Sequence, residues 1–330
     1  SGFAKSSLQR QVEGKPEIIR DVLGDWMAPV MVFSDSLRNN TMAPPEGMTL
    51  YGTAAHYRVV ESVSKINRIL GNETRAIEYE KWAQRIGRNF NLEFFDQKSK
   101  TYHGDKPTNF RQSANVVPLD YGLVQKENRE IVVQKVLQDI HENGDRLATG
   151  FLGTASMMAW LPQADPELAF KLSTHRNYPG WGYMVEQGAN TMWEAWDGDN
   201  SRNHPPFCLI SEYFFRYLAG IQPDPANPGF RHFFVNPSVV GDLTFVNATH
   251  ECPYGSIKSN WKRENDLFIL EVTVPVNTTA TILLLAKPGS QISESGQDVD
   301  KIKGVRYLRY EQGKAVFELG SGNYLFQSKL

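Results

Sequence analysis

The spacing of apolar residues changes near residue 220 and divides the chain into two parts. Between about residue 50 and residue 220, apolar side chains recur every three or four positions, as in the series Val59, Val63, Ile66 and Leu70. This period places such side chains on one face of a helix. The first part is therefore predicted to consist of antiparallel helix pairs joined by loops of short and medium length.

Stop signals and further apolar stripes divide this part into separate helices. Gly71 and the pair Asn143-Gly144 are suitable C-terminal stops, and Thr74 is predicted to cap the helix that follows Gly71. The remaining helical patterns are the stripe Tyr79, Ala83, Ile86 and Phe90, the stripe Val133, Val136, Leu137 and Ile140, and the segments Thr154–Leu161, Pro166–Leu172 and Phe207–Ala219.

Beyond residue 220 the pattern changes to short runs rich in Val, Ile, Thr and aromatic residues. The segment Gln222–Gly229 contains three prolines and is interpreted as a linker or a tightly packed crossing. The runs that follow, separated by turn signals, are typical of an antiparallel β-sandwich. They are Leu243–Thr249, Ser256–Lys262, Leu267–Val274, Ala280–Leu285, Val305–Tyr310, Ala315–Leu319 and Tyr324–Gln327. The chain is thus predicted to be a multidomain α + β protein, with a helical domain at 1–221 and a β-sandwich at 222–330.

Composition argues against some classes of function but does not identify the function. The 330 residues are 41% hydrophobic and 22% charged, with a net charge of −2, which is typical of a globular protein. A basic stripe is lacking, so a nucleic acid is not expected as a partner. The longest apolar runs, such as Ala280–Ala286, are too short to span a bilayer. Cys208 and Cys252 fall in different predicted domains and do not indicate the cellular compartment. The sequence does not indicate the oligomeric state either.

The stretch GANTMWEAWDG, residues 188–198, places one acid, Glu194, between two tryptophans. Indole faces suit the apolar faces of a sugar ring, and a partly shielded carboxylate beside them can transfer protons. Paired carboxylates with aromatic walls are the arrangement that glycoside hydrolysis requires. The alternative is a surface helix whose tryptophans face the core while Glu194 is solvated. The residues alone leave both interpretations open.

Two other places carry polar and aromatic residues that are costly for packing alone. Asp25 and Trp26 lie in LGDWMAP, a segment without periodicity, where the alternative is a capping Asp beside a core Trp. His204 follows Asn203 and precedes two prolines, so a rigid loop can aim its imidazole at a sugar hydroxyl, although a structural His is the more common case. Arg202 is expected to pair with a nearby acid. His204 has no Cys or His partner at ligand spacing, and dinucleotide and phosphate fingerprints are lacking, so neither a metal nor a cofactor is expected.

Several of these stretches together resemble the bacterial α-L-rhamnosidases of glycoside hydrolase family 78. They are LGDW, RLATGFLGT, YPGWGYMVEQGANTMWEAWD, RNH and YLAGIQPDPANPGFRHFFVNP, followed by the sandwich stretch that begins ECPYGSIKSNW. The resemblance implies a partial (α/α)6 barrel followed by a β-sandwich, and inverting hydrolysis of terminal α-L-rhamnosides. It also implies that Glu194 is the general base.

The same resemblance implies a sugar pocket and its ligand. His204 corresponds to a histidine of that pocket, and Asn203 beside it is assigned to the same place. Asp25 and Trp26 fall on a segment expected to line the pocket, and Trp181 and Trp193 are expected to serve as aromatic platforms. The implied partner is an oligosaccharide or glycoside that contains rhamnose.

One segment that is typical of the family is not found in this sequence. The family's general acid is a glutamate in an Asp/Arg/Glu-rich segment before GDW, and Ser1–Val22 contains no such segment. The chain is therefore expected to be the C-terminal part of a longer enzyme, with the base present and the acid upstream. Two alternatives stay open: another inverting enzyme on the same type of barrel, and a carbohydrate-binding protein without catalysis.

Overall fold

The structure is a computed structural model that describes residues 11–20, 23–29 and 43–330. The chain forms two compact units, Ser1–Leu209 and Ile210–Leu330. Among the described residues the first unit is mainly helical, and the second consists mainly of β-strands. The predicted order of a helical part followed by a β-rich part is confirmed.

Helices in the described part of the first unit follow one another with short connections. They are α1 (Thr49–Ile69), α2 (Glu73–Phe94), α3 (Gln112–Asp120), α4 (Lys126–Glu142), α5 (Phe151–Ala164), α6 (Pro166–Ser173) and α7 (Trp181–Glu186). A small hairpin of β1 (Phe95–Asp96) and β2 (Thr101–Tyr102) follows α2. Helix α3 was not predicted because nearly all of its residues are buried and it contains Pro118, so it shows no amphipathic period.

Helix ends follow the local signals with one exception. Helix α1 stops just before Gly71, and α4 stops before Asn143-Gly144, where both glycines adopt a positive φ. The expected cap at Thr74 is wrong, because α2 starts at Glu73 and Asn72 occupies the N-cap position.

The apolar stripe of α1 identifies the helix correctly but not its buried face. Val59, Ile66 and Leu70 are exposed, whereas Tyr51 and Val60 are buried. Helix α1 packs on α2 through a face that mixes small, aromatic and polar side chains. The hydrophobic period therefore indicates here that the segment is a helix, but it does not indicate which face of the helix is buried.

The second unit begins with a helical turn that precedes the strands. Helix α8 (Ile210–Tyr213) continues as a π-helical turn to Leu218. The Trp261 indole N–H donates to the Leu218 carbonyl at 2.8 Å, and the Ser259 hydroxyl donates to the Ala219 carbonyl at 2.7 Å. These bonds attach the turn to the sandwich, so the compact unit starts before the boundary expected at 221/222.

Two sheets form the sandwich. Its strands are β3 (Ile221–Pro223), β4 (His232–Val235), β5 (Phe245–Cys252), β6 (Gly255–Glu264), β7 (Leu267–Val274), β8 (Thr279–Leu285), β9 (Ser293–Glu294), β10 (Gln297–Asp298), β11 (Val305–Glu311), β12 (Lys314–Leu319) and β13 (Gly322–Lys329). One sheet has the order β10-β9-β13-β7-β6-β5, and the other has the order β11-β12-β8-β4-β3. Trp261, Phe268, Phe317 and Phe326 fill the core.

All seven predicted strands are confirmed as β5–β8 and β11–β13. Two features depart from the expected antiparallel pattern. Strand β4 pairs with β8 in parallel, from His232 opposite Thr279 to Val235 opposite Ile282. Strand β3, which pairs with β4, overlaps the proline-rich segment that was interpreted as a linker or a tightly packed crossing.

Candidate active site

Asp25 holds the start of helix α5 in place. Its carboxylate is completely buried and accepts hydrogen bonds from the Gly150 N–H at 2.8 Å, the Gly153 N–H at 2.7 Å and the Ser113 hydroxyl. Burial raises the pKa of this carboxyl above its ordinary value of 3.8, and the three donors oppose that shift. Both oxygens of Asp25 thus accept hydrogen bonds from protein donors inside the fold, and its expected contact with a sugar stays a prediction.

Glycine is required where this contact forms. A Cβ on Gly150 would overlap the Trp26 carbonyl oxygen, and a Cβ on Gly153 would overlap the Ser113 hydroxyl. The Trp26 carbonyl also accepts the Phe151 N–H at 2.8 Å. The glycines of the motif RLATGFLGT therefore allow the backbone of the LGDW segment to come close to the start of helix α5.

The loop that carries Glu194 attaches to the same helix start. Trp196 is 1% exposed, and its indole N–H donates to the Thr149 carbonyl at 3.1 Å. Its ring packs against Phe207 at 4.0 Å between centroids and meets Trp181 edge-on at 5.2 Å. The tryptophans of this segment thus form a rigid base behind the loop.

Glu194 lies on the outer side of this aromatic base. Its side chain is 17% exposed, and its Oε2 accepts the Ser201 N–H at 3.2 Å. The Glu194 N–H donates in turn to the Ser201 carbonyl at 2.8 Å, so the two residues clamp the loop. The described residues provide no hydrogen-bond donor to Oε1. One oxygen is therefore held in place while the other is available to a ligand or a water molecule.

His204 is the titratable side chain beside this carboxylate. Its Nδ1 lies 3.9 Å from Glu194 Oε2, and its ring stacks on Phe151 with 5.6 Å between centroids. The His204 N–H donates to the Met192 carbonyl at 2.9 Å. Glu194 and His204, which the sequence predicts for one site, are thus brought together by the same loop.

Trp181 and Trp193 are both largely buried in this structure. Trp181 is 7% exposed and donates its indole N–H to the Phe207 carbonyl at 3.0 Å. Trp193 is 4% exposed, with the Arg202 guanidinium 5.0 Å from its ring centre. A Cβ on Gly198 would come within 2.8 Å of the Trp193 ring. Both side chains therefore support the loop among the described residues, and their expected role as sugar platforms stays a prediction.

The remaining predicted site residues lie closer to the surface. Trp26 is half-buried, and Asn203 is exposed. Asn200 donates to the Met27 sulfur at 3.9 Å, which places the LGDW segment against the loop of Glu194. Among the described residues Arg202 forms no ion pair; its guanidinium lies over Trp193 and donates to the Gly198 carbonyl at 3.2 Å.

The sequence patterns did not predict where these segments meet. Residues Thr149–Gly153 receive Asp25, the backbone of Trp26, the indole of Trp196 and the ring of His204. The available signal was the pair of glycines in ATGFLGT at the start of an apolar helix, a spacing that permits close backbone approach.

The described residues contain no group of three His, Cys, Asp or Glu side chains arranged to hold a metal ion. Among the same residues, no helix has the length and apolar character needed to cross a membrane.

The helical unit and the sandwich that follows it agree with the domain order of glycosidases built on helical hairpins. Residues 1–218 match the bacterial alpha-L-rhamnosidase 6 hairpin glycosidase domain, and residues 220–298 match the bacterial alpha-L-rhamnosidase C-terminal domain. The chain belongs to the bacterial α-L-rhamnosidase family.

Relatives of known identity cover the chain almost completely. An alpha-L-rhamnosidase of Formosa agariphila is 28% identical over 92% of this chain and 33% of its own length. The solved alpha-L-rhamnosidase of Dictyoglumus thermophilum superimposes with a TM-score of 0.87 at 28% identity, over 100% of this chain and 36% of that one. The Streptomyces avermitilis enzyme, solved with L-rhamnose, gives 0.83 at 27% identity, over 99% and 30%. The chain therefore spans about a third of the length of the relatives it matches.

Proposed function

We propose that this chain carries the general base of an inverting hydrolysis of terminal α-L-rhamnosides, and that the base is Glu194. The observation that carries the proposal is the asymmetry of its carboxylate. The Ser201 N–H holds one oxygen at 3.2 Å, and the other has no donor among the described residues. A base that deprotonates water needs such an available oxygen in a fixed position.

In the proposed reaction, Glu194 takes a proton from a water molecule as that water attacks the anomeric carbon from the face opposite the leaving group. The bond between the anomeric carbon and the glycosidic oxygen breaks, and a second carboxyl group protonates that oxygen. We assign this acid to no residue of the chain. In inverting enzymes it lies roughly 6.5–9.5 Å from the base, which leaves room for the water.

Family membership supports the choice of rhamnosides as substrates. The Streptomyces avermitilis relative was solved in complex with L-rhamnose, and the region that superimposes includes nearly all of this chain. The substrate class proposed here is a rhamnose-containing oligosaccharide or glycoside.

The stereochemistry of the first product tests the mechanism directly. Inversion of an α-linked rhamnoside releases β-L-rhamnose before mutarotation. We expect proton NMR spectra, recorded within seconds of mixing the most complete expressible form of the enzyme with 4-nitrophenyl α-L-rhamnoside, to show the β anomer first. The α anomer as first product would contradict inversion, and saccharide binding without hydrolysis would favour a carbohydrate-binding role.

His204 is proposed to contact the sugar from the side of Glu194. Because its Nδ1 is 3.9 Å from Glu194 Oε2, too far for a direct hydrogen bond, the imidazole can bond to a sugar hydroxyl. His204→Ala is expected to lower kcat/KM by about 10- to 100-fold. His141→Ala, which removes an exposed imidazole from α4, is the matched control and should change kcat/KM little. Equal kinetics in both variants would assign His204 to packing on Phe151.

A further inference from the structure

The second unit contains a cavity that the proposed hydrolysis does not use. Its volume is about 480 Å³, and it lies beside the edge strand β11. The loop 286–292 and the turn 298–300 form the other walls. This volume falls within the range of roughly 300–1,000 Å³ that is usual for sites of small ligands.

A β-bulge places two tyrosines on the same side of β11. Tyr307 pairs with Phe317 and Tyr310 pairs with Ala315, and the register shifts between Tyr307 and Arg309. In a regular strand, residues three apart point to opposite faces. The extra residue of the bulge removes this alternation, so Tyr307 and Tyr310 both line the cavity.

The two rings are held in place but not covered. Tyr307 is 51% exposed and meets Phe317 edge-on at 5.6 Å between centroids. Tyr310 is 37% exposed, and its hydroxyl donates to the Ala286 carbonyl at 2.9 Å. Each side chain therefore presents aromatic surface in a fixed orientation, which reduces the entropy cost of binding a ligand.

The other walls carry polar groups around this aromatic surface. Lys287, Gln291, Asp298 and Asp300 line the cavity, so its charged side chains sum to −1. Asp298 is oriented by accepting the Asp300 N–H at 3.1 Å. Donors and acceptors beside aromatic rings suit a ligand with many hydroxyls and an apolar face, and the net charge disfavours an anion.

We propose that this cavity is a second carbohydrate site, which binds a neutral saccharide. One ring face of the sugar packs on Tyr307, and its hydroxyls bond to Asp300, Gln291 and Lys287. The site goes beyond the hydrolysis proposed for the first unit. Binding here requires neither Glu194 nor cleavage of the sugar.

An NMR titration tests the proposal on the full chain with Glu194→Gln, which is expected to slow any turnover. Methyl α-L-rhamnopyranoside is expected to shift the amide signals of Gly289, Asp300 and Tyr307. Tyr307→Ala should weaken this binding by about tenfold, whereas Tyr307→Phe retains the ring and should bind as the parent does. Tyr254→Ala, which removes an exposed tyrosine at the turn between β5 and β6, is the matched control and should leave the affinity unchanged.

Three results would overturn the proposal. They are unchanged amide signals around the cavity at tens of millimolar sugar, equal loss of affinity in Tyr254→Ala, and binding of D-glucuronate as tight as that of the rhamnoside. Loss of activity elsewhere in the protein would affect none of these readouts. The test therefore separates this site from the proposed catalytic function.

Discussion

Replacement of Glu194 by Gln is expected to reduce kcat on 4-nitrophenyl α-L-rhamnoside by about 10²–10⁴-fold, with little change in KM. The amide keeps the shape of the side chain and an oxygen that can accept the Ser201 N–H, so the loop should hold its conformation. What is lost is the ability to take a proton from water. Steady-state kinetics, in the most complete expressible form of the enzyme, measures this directly.

Glu186→Gln is the matched control for this variant. Glu186 lies eight positions earlier, is exposed, and pairs with Arg176 at 3.0 Å, so its neutralisation should leave kcat near that of the parent. Added azide should restore turnover to Glu194→Ala, because this nucleophile needs no base and forms the β-rhamnosyl azide. Near-parental kcat in Glu194→Gln would show that another group is the base.

Removal of the Asp25 carboxylate is expected to destabilise the first unit by about 3–5 kcal/mol. Asp25→Ala leaves the Gly150 and Gly153 N–H groups and the Ser113 hydroxyl without their buried acceptor. Asp25→Asn should also be destabilised, because each carboxylate oxygen accepts a backbone N–H and an amide group can replace only one of them. Chemical denaturation, followed by tryptophan fluorescence and circular dichroism, gives the free energy of unfolding.

Asp197→Ala provides the comparison for Asp25. Asp197 is exposed, and among the described residues it accepts a hydrogen bond only from the Asp199 N–H, at 3.1 Å, so its loss should cost no more than about 0.5 kcal/mol. Equal stability of the two variants would contradict the role assigned to Asp25.

The pH dependence of stability gives a second readout for Asp25. Because burial raises the pKa of this carboxyl above 3.8, the folded chain keeps the proton to higher pH than the unfolded chain does. The Asp25 contribution to stability therefore falls as pH rises from 3.8 through the raised pKa. Asp25→Ala should lack this decline, whereas an identical pH profile in the variant would contradict it.

The local pattern of the sequence was sufficient for most of the elements, whereas the proposed base was implied by the family resemblance. Period and turn signals predicted seven strands of the sandwich and the helices around α2, α4, α5 and α6, because these features depend on neighbours within a few residues. The position of Glu194 between two indoles marked the loop on which the proposed chemistry depends.

Only the tertiary structure decided which of these side chains are exposed and which are buried behind the site. The bond from Gly150 to Asp25 joins residues 125 positions apart, and the Arg202 guanidinium lies 5.0 Å from the centre of the Trp193 ring. The bulge that aligns Tyr307 with Tyr310 is likewise a property of pairing with β12. Such contacts form only when different segments of the chain pack against one another. Hydrophobic periodicity within one segment does not predict which other segment it will contact.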